Sequence, residues 1–156
     1  MALTFTEKAK QLGATSFFPC PQWVSFRIDN CKILFEPNVY NGTGDETRVN
    51  ICFKSDELVQ KVLEFEKQLS GSVSSAVKNE MEHVKSKLAW DKVKFYDLTT
   101  EATTKPNKLA GYICNAVFVI KGKWVSHGQV GLSIETTDIQ LIEAQDNERP
   151  NPFLLP

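Results

Sequence analysis

The sequence predicts an α+β fold that is mainly antiparallel β. Two observations predict it. Apolar and polar residues alternate through several short runs. Those strand-like runs come as three, then a stretch of helical spacing, then about three more, whereas a parallel α/β sheet would alternate strand and helix throughout. The chain of 156 residues is of single-domain size, with 42% apolar and 24% charged residues, enough to bury a core without disulfides or metals.

Residues 6–13 predict a short helix, with Thr6 as cap and Gly13 as stop. Pro19 and Pro21 then favour extended chain leading to the first strand. Over residues 22–28, Val24, Phe26 and Ile28 share one face, and Trp23, Ser25 and Arg27 the other. Asp29-Asn30 reads as a hairpin turn and residues 31–36 as the returning strand, with residues 37–46 a loop. Residues 47–54 form a third strand, with Val49, Ile51 and Phe53 inward and Arg48, Asn50 and Lys54 outward.

Ser55 caps a helix whose first turn carries Asp56 and Glu57, where acids suit the dipole, and Ser70-Gly71 ends it. Val73, Val77, Met81, Val84 and Leu88 predict a second amphipathic helix, which makes Lys78, Lys85 and Lys87 a solvated face and turns His83 to solvent. Residues 92–96 read as a strand and residues 97–111 as a long polar loop holding Lys105 and Lys108. Residues 112–120 are a strong strand; residues 124–134 and 139–142 supply the last ones, with Gly128 and Gly131 marking a bend or bulge. Residues 1–143 form the domain, and residues 144–156, with three prolines, a flexible tail.

The net charge of −1 hides an asymmetry. Residues 76–123 hold nine Lys against five acids, whereas residues 135–156 hold five acids and one Arg. Charge acts within about a Debye length, ~10 Å, so the near-zero total leaves room for a basic patch. No apolar run reaches the ~20 residues that span a bilayer, and charge near the start replaces the apolar stretch of a signal peptide. The expected setting is intracellular and cytoplasmic, where Cys20, Cys31, Cys52 and Cys114 stay buried free thiols. Their spacing suits no metal site, and no cofactor motif is present.

Catalytic motifs are also absent: there is no P-loop, G-x-S-x-G, G-x-G-x-x-G or H-E-x-x-H. His127 reads as a surface residue in a polar turn. The chain is expected to bind, not to catalyse. Trp23 with Arg27 on one strand, and Lys94 with Tyr96 on another, set an aromatic beside a cation, a pairing that suits base stacking with phosphate neutralisation. Arg48, Asn50 and Lys54 offer the polar half of that pattern. Trp124 follows Lys121-Gly122-Lys123 and reads either as a stacking residue in a basic hairpin or as the plug of one barrel end. Trp23 and Tyr96 have a second reading too, as cover for a smaller core.

The chain resembles the OB-fold single-stranded DNA-binding proteins of phages and other DNA viruses. A helix after the third strand, the basic hairpin with Trp124 followed by Gly131-Leu132 and a final strand, and an acidic tail with an apolar end carry the resemblance. It implies an OB-like five- to six-stranded barrel with a helical insert after the third strand. It implies a basic groove in which Trp23, Tyr40, Tyr96, Tyr112 and Trp124 stack bases, while Arg27, Lys32, Arg48, Lys94, Lys105 and Lys108 meet phosphates. Its binding would ignore sequence and weaken with salt, in replication or recombination. The tail residues Phe153, Leu154 and Leu155 would dock on replication or recombination proteins, and a viral protein would act in the host cytoplasm or nucleus. Two other readings stand beside it: a protein-interaction module using the same sheet face, and a small-ligand barrel or enzyme. An edge strand pairing with its copy would give a homodimer.

Overall fold

The structure, a computed structural model, describes residues 2–39 and 47–144. It contains eleven strands and one helix: β1 (Lys10–Leu12), β2 (Thr15–Ile33), β3 (Asn38–Val39), β4 (Arg48–Lys54), α1 (Asp56–Glu66), β5 (Ser72–Val73), β6 (Val77–Lys78), β7 (His83–Ala89), β8 (Lys94–Tyr96), β9 (Ala102–Thr103), β10 (Tyr112–Ser126) and β11 (Gln129–Ala144).

Five strands close into a ring in the order β2, β10, β11, β7, β4 and back to β2. Four of its seams are antiparallel; β7 and β11 run parallel, with Glu135 opposite Lys87 and Thr136 opposite Leu88. The fold is thus mainly antiparallel β, as expected, but with one helix among the described residues where three were expected. Inside the ring, Phe118 stacks on Phe26 at 5.6 Å and meets Phe53 edge-on at 5.2 Å. The helix supplies Leu58, Val62 and Phe65 to the same core. Val49, Ile51 and Phe53 point inward as their alternation predicts.

The helix begins where the sequence places it: the Leu58 N–H donates to Ser55 Oγ at 3.1 Å. Several expectations fail, each for a physical reason. Residues 6–13 form no helix. So short a helix has little stability of its own, and the chain instead folds back on β2 through Gly13, at φ +64°. Pro19 and Pro21 lie within β2 rather than ahead of it. Asp29-Asn30 does not reverse the chain. Asn30 takes the left-handed conformation (φ +58°) in a bulge opposite Asn115, whose Oδ1 accepts its N–H at 3.1 Å, and β2 runs straight through. A residue suited to a turn is equally suited to a bulge. The two strands read there are therefore one, and the helix follows the second strand of the ring.

The second amphipathic helix is overturned. Asn79, Glu80 and Met81 all have positive φ, which reverses the chain between β6 and β7. Val84, Ser86 and Leu88 are buried while Lys85 is exposed, a strand pattern masked by one polar inward residue. Ser86 tolerates burial through a 2.7 Å hydrogen bond to Thr136. His83 is 8% exposed rather than solvent-facing, edge-on to Phe35 at 5.8 Å. The last two strands are also one: β11 is continuous past Gly131. His127-Gly128, both at positive φ, make the two-residue turn that joins it to β10. The flexible-tail expectation falls outside the described residues, apart from Ala144, which closes β11. Among the described residues no helix is long and apolar enough to cross a membrane.

Candidate nucleic-acid interface

A groove of about 650 Å³ lies between the N-terminal hairpin, the outer face of β4 and β7, and the tip of the β10–β11 hairpin. Its described lining holds four cations, Arg48, Lys78, Lys85 and Lys87, and no acid. In a chain of net charge −1 that is a local concentration of one sign. Strand alternation produces it: turning Val49, Ile51, Val84 and Leu88 inward turns Arg48, Asn50, Lys85 and Lys87 the other way. In register, Asn50 stands opposite Lys87 and Cys52 opposite Lys85. Burial raises the Cys52 thiol above its ordinary pKa, and the nearby Lys85 ammonium pulls it down.

The aromatic side comes from Trp124 and Phe17, which pair across β10 and β2. Gly131 seats the indole: a β-carbon on Gly131 would come within 2.3 Å of Trp124 Cζ2. The third wall, residues 74–78, is tied down from several directions. Ser74 N–H donates to the Val130 carbonyl at 2.8 Å and Lys85 N–H to the Ala76 carbonyl at 2.9 Å. Glu66, 5% exposed at the end of α1, accepts from Ser75 Oγ at 2.5 Å and from Ala76 N–H at 2.8 Å. Ser74, Ser75, Ser126 and Ser133 also line the groove, the Ser75 hydroxyl being bonded to Glu66.

Of the residues singled out in the sequence, the structure brings Arg48, Asn50 and Trp124 together in this groove. Lys32 and Lys54 face each other where β2 meets β4, farther along the outer face. The rest lie elsewhere. Trp23 is 57% exposed under the Lys121 ammonium, 4.6 Å from its ring, and Lys121 also bonds Glu135 at 3.1 Å. Arg27 pairs with Asp29 at 2.6 Å and lines a separate cleft with Tyr96 and Asp138. The Tyr96 hydroxyl donates to Asp138 at 3.1 Å, which raises its pKa, and Lys94 stands opposite Asp138 in register. Lys105 and Lys108 are exposed, Lys105 with its ammonium 5.0 Å from the Trp90 ring centre, and Tyr112 is half-buried against the core. Tyr40, Phe153, Leu154 and Leu155 lie outside the described residues.

Sequence reasoning missed Lys78, Lys85, Lys87, Phe17 and the serine-rich wall. The signal for the lysines was present as Val84-x-Ser86-x-Leu88 interleaved with Lys85 and Lys87. Of the four cysteines Cys20, Cys31 and Cys114 are buried and Cys52 half-buried, and all are free thiols. Among the described residues no group of three or more His, Cys, Asp or Glu is placed to hold a metal.

Two solved structures share this architecture. The single-stranded DNA-binding protein from bacteriophage Enc34, in complex with single-stranded DNA, superposes with a TM-score of 0.56 at 10% identity, over 90% of this chain and 98% of that one. A C-terminal truncation of the same phage protein gives a TM-score of 0.52 at 11% identity, over the same shares. No protein-family model and no curated protein sequence matches the chain. The likeness shows the fold, an OB-like ring of strands, which is the fold that the sequence resemblance implies.

Proposed function

We propose that this protein binds single-stranded DNA without regard to sequence, as a non-enzymatic component of replication or recombination. The observation that carries the reading is the groove whose described lining holds four cations, no acid, and an indole fixed against Gly131. Bases stack on Trp124 and Phe17, at about 1–3 kcal/mol per base whatever the base, because each has a π face. Arg48, Lys78, Lys85 and Lys87 neutralise phosphates, and the amide of Asn50 and the serine hydroxyls hydrogen-bond along the strand. The shared fold with a phage protein solved on single-stranded DNA supports the assignment.

Titration with a mixed-sequence oligonucleotide of about 30 nucleotides, followed by tryptophan fluorescence at low and high salt, tests it. Saturable quenching that weakens steeply with salt is expected. No quenching and no binding at low salt would end the reading.

A second contact is favoured by one observation: Trp23 is 57% exposed outside the groove. With Arg27 on the same strand face it supplies an aromatic and an arginine, two residue types enriched at protein interfaces, which suits a protein partner. The apolar tail residues Phe153, Leu154 and Leu155 are the other proposed contact with replication or recombination proteins.

A further inference from the structure

The strand β7 does not stop at the groove. One residue past its end stands Trp90, whose N–H donates to the Thr47 carbonyl at 2.7 Å, while Ala89 pairs with Arg48 of the groove. At about 3.4 Å per residue, Trp90 lies roughly 17 Å along the strand from Lys85. Its ring packs nearly parallel to Phe95, at 6.5 Å and 21°. Beside it opens a second cavity of about 540 Å³, lined among others by Lys94, Thr103, Thr104 and Lys105, again with no acid among its described residues. The loop that carries Lys105 leaves a turn organised by Asp97, whose Oδ1 accepts from Thr99 N–H, Thr99 Oγ1 and Glu101 N–H at 2.9, 2.6 and 3.1 Å.

We propose that Trp90, with Lys94 and Lys105, is a second nucleotide-binding subsite, which takes a base of the same DNA strand as it leaves the groove past Arg48. The inference rests on the groove reading above and extends its length. The cavity repeats the groove's chemistry: an aromatic ring, two cations and hydroxyls. Lys105 holds its ammonium 5.0 Å from the indole centre. An exposed cation–π contact is weaker than base–aromatic stacking, so an arriving base displaces the ammonium. The freed ammonium then lies beside the phosphate of the base that displaced it. A protein ligand, the competing occupant, would need acids to match Lys94 and Lys105 and would show no dependence on nucleotide length.

Oligothymidylates of about 4 to 16 nucleotides, the range of site sizes for an OB-type domain, test the proposal. Wild-type affinity is expected to rise in two stages with length. Trp90→Ala is expected to remove the second stage, lowering affinity for the longest oligonucleotides by about 5- to 150-fold and leaving the shortest unchanged. Trp90→Phe keeps the second stage and loses the extra fluorescence quenching that comes with it. The double substitution Lys94→Ala/Lys105→Ala, at two exposed positions, should reduce the salt slope by about 1.4 for long oligonucleotides and not for short ones. Short oligonucleotides that fail to bind the wild type would overturn the groove reading itself. Normal short binding, with long binding unaltered in all three variants, would overturn this subsite alone.

Discussion

The indole of Trp124 lies against the α-carbon of Gly131, directly across the β10–β11 pair, with no room for a β-carbon between them. Glycine is needed there for space, because the neighbouring strand carries a ring flat against the backbone.

Gly131→Ala should therefore act as a mutation of Trp124. It is expected to push the ring off its seat and lower single-stranded DNA affinity by about 1–3 kcal/mol, the range for losing one stacking residue. Circular dichroism should remain that of a β protein. Unchanged affinity would mean that the ring's position does not matter to binding.

Lys85 and Lys87 stand two residues apart on the outer face of β7. Replacing either with Ala should lower the slope of log affinity against log salt by about 0.7, the share of one phosphate contact on a single strand. Loss of affinity with an unaltered slope would argue that the lysines act through the fold.

Cys52 reports on the same face. The other three cysteines are buried, so alkylation of the native protein reads Cys52. Burial raises its pKa above the ordinary 9.0, so labelling at neutral pH is expected to be slower than for a free thiol and to accelerate above pH 9. Lys85→Ala removes the charge that favours the thiolate and should slow it further. Saturating DNA should protect Cys52; labelling that ignores DNA would place the strand elsewhere.

Burial pushes the Cys31 thiol from 9.0 up to about 12, aided by Glu57 and Asp29 and opposed by a hydrogen bond with Ser55. Cys114, opposite it in register, is raised too, by burial and by Cys31. A raised folded-state pKa contributes stability that is complete below 9.0 and is lost as pH climbs through about 12. Stability to urea should accordingly fall between those values. In Cys31→Ala/Cys114→Ala the decline should be shallower, whatever the variant's stability at neutral pH; an equal decline would assign it to other groups.

Glu66→Ala leaves the Ser75 hydroxyl and the Ala76 N–H without their acceptor. A cost of about 1–3 kcal/mol is expected in thermal or urea unfolding. DNA affinity should fall as well, since the wall carrying Lys78 loses its anchor. Loss of stability with full affinity would separate Glu66 from the groove.

Where one rule governed a segment, the sequence was readable. Val49, Ile51 and Phe53 could alternate inward in only one way, and Ser55 with two acids behind it could only start a helix. That strand put Arg48 and Asn50 on the outer face, where they line the groove. Failures came where two rules gave the same pattern. Asn30 suits a turn or a bulge, and only pairing with Asn115 across 85 residues of sequence decides. Val77, Met81, Val84 and Leu88 satisfy a helical period, and the polar Ser86 hid the strand period until its partner Thr136, 50 residues on, was in view. That misreading moved Lys85 and Lys87 off the site. Trp23 beside Arg27 looked like a stacking pair, but strand phase does not reveal that Asp29 and Lys121 already engage them.

The ring is not equally strong around its circumference. Strands β2, β10 and β11 are laced together along almost their whole length, whereas β4 meets β2 only at Lys32–Lys54 and Ile33–Phe53, and β7 meets β11 only at Glu135–Lys87 and Thr136–Leu88 among the described residues. The three-stranded side of β2, β10 and β11 and the smaller side of β4, α1, β6 and β7 thus meet at two short seams, with residues 72–74 paired to β11 as a further tie and one hydrophobic core filling both. Regions with few such bonds open at lower free energy than the rest. The groove draws Phe17 and Trp124 from β2 and β10 and its four cations from β4, β6 and β7, so it straddles the short seams. A nucleotide chain laid across it would act as a further clasp, and the grip would stiffen the holder.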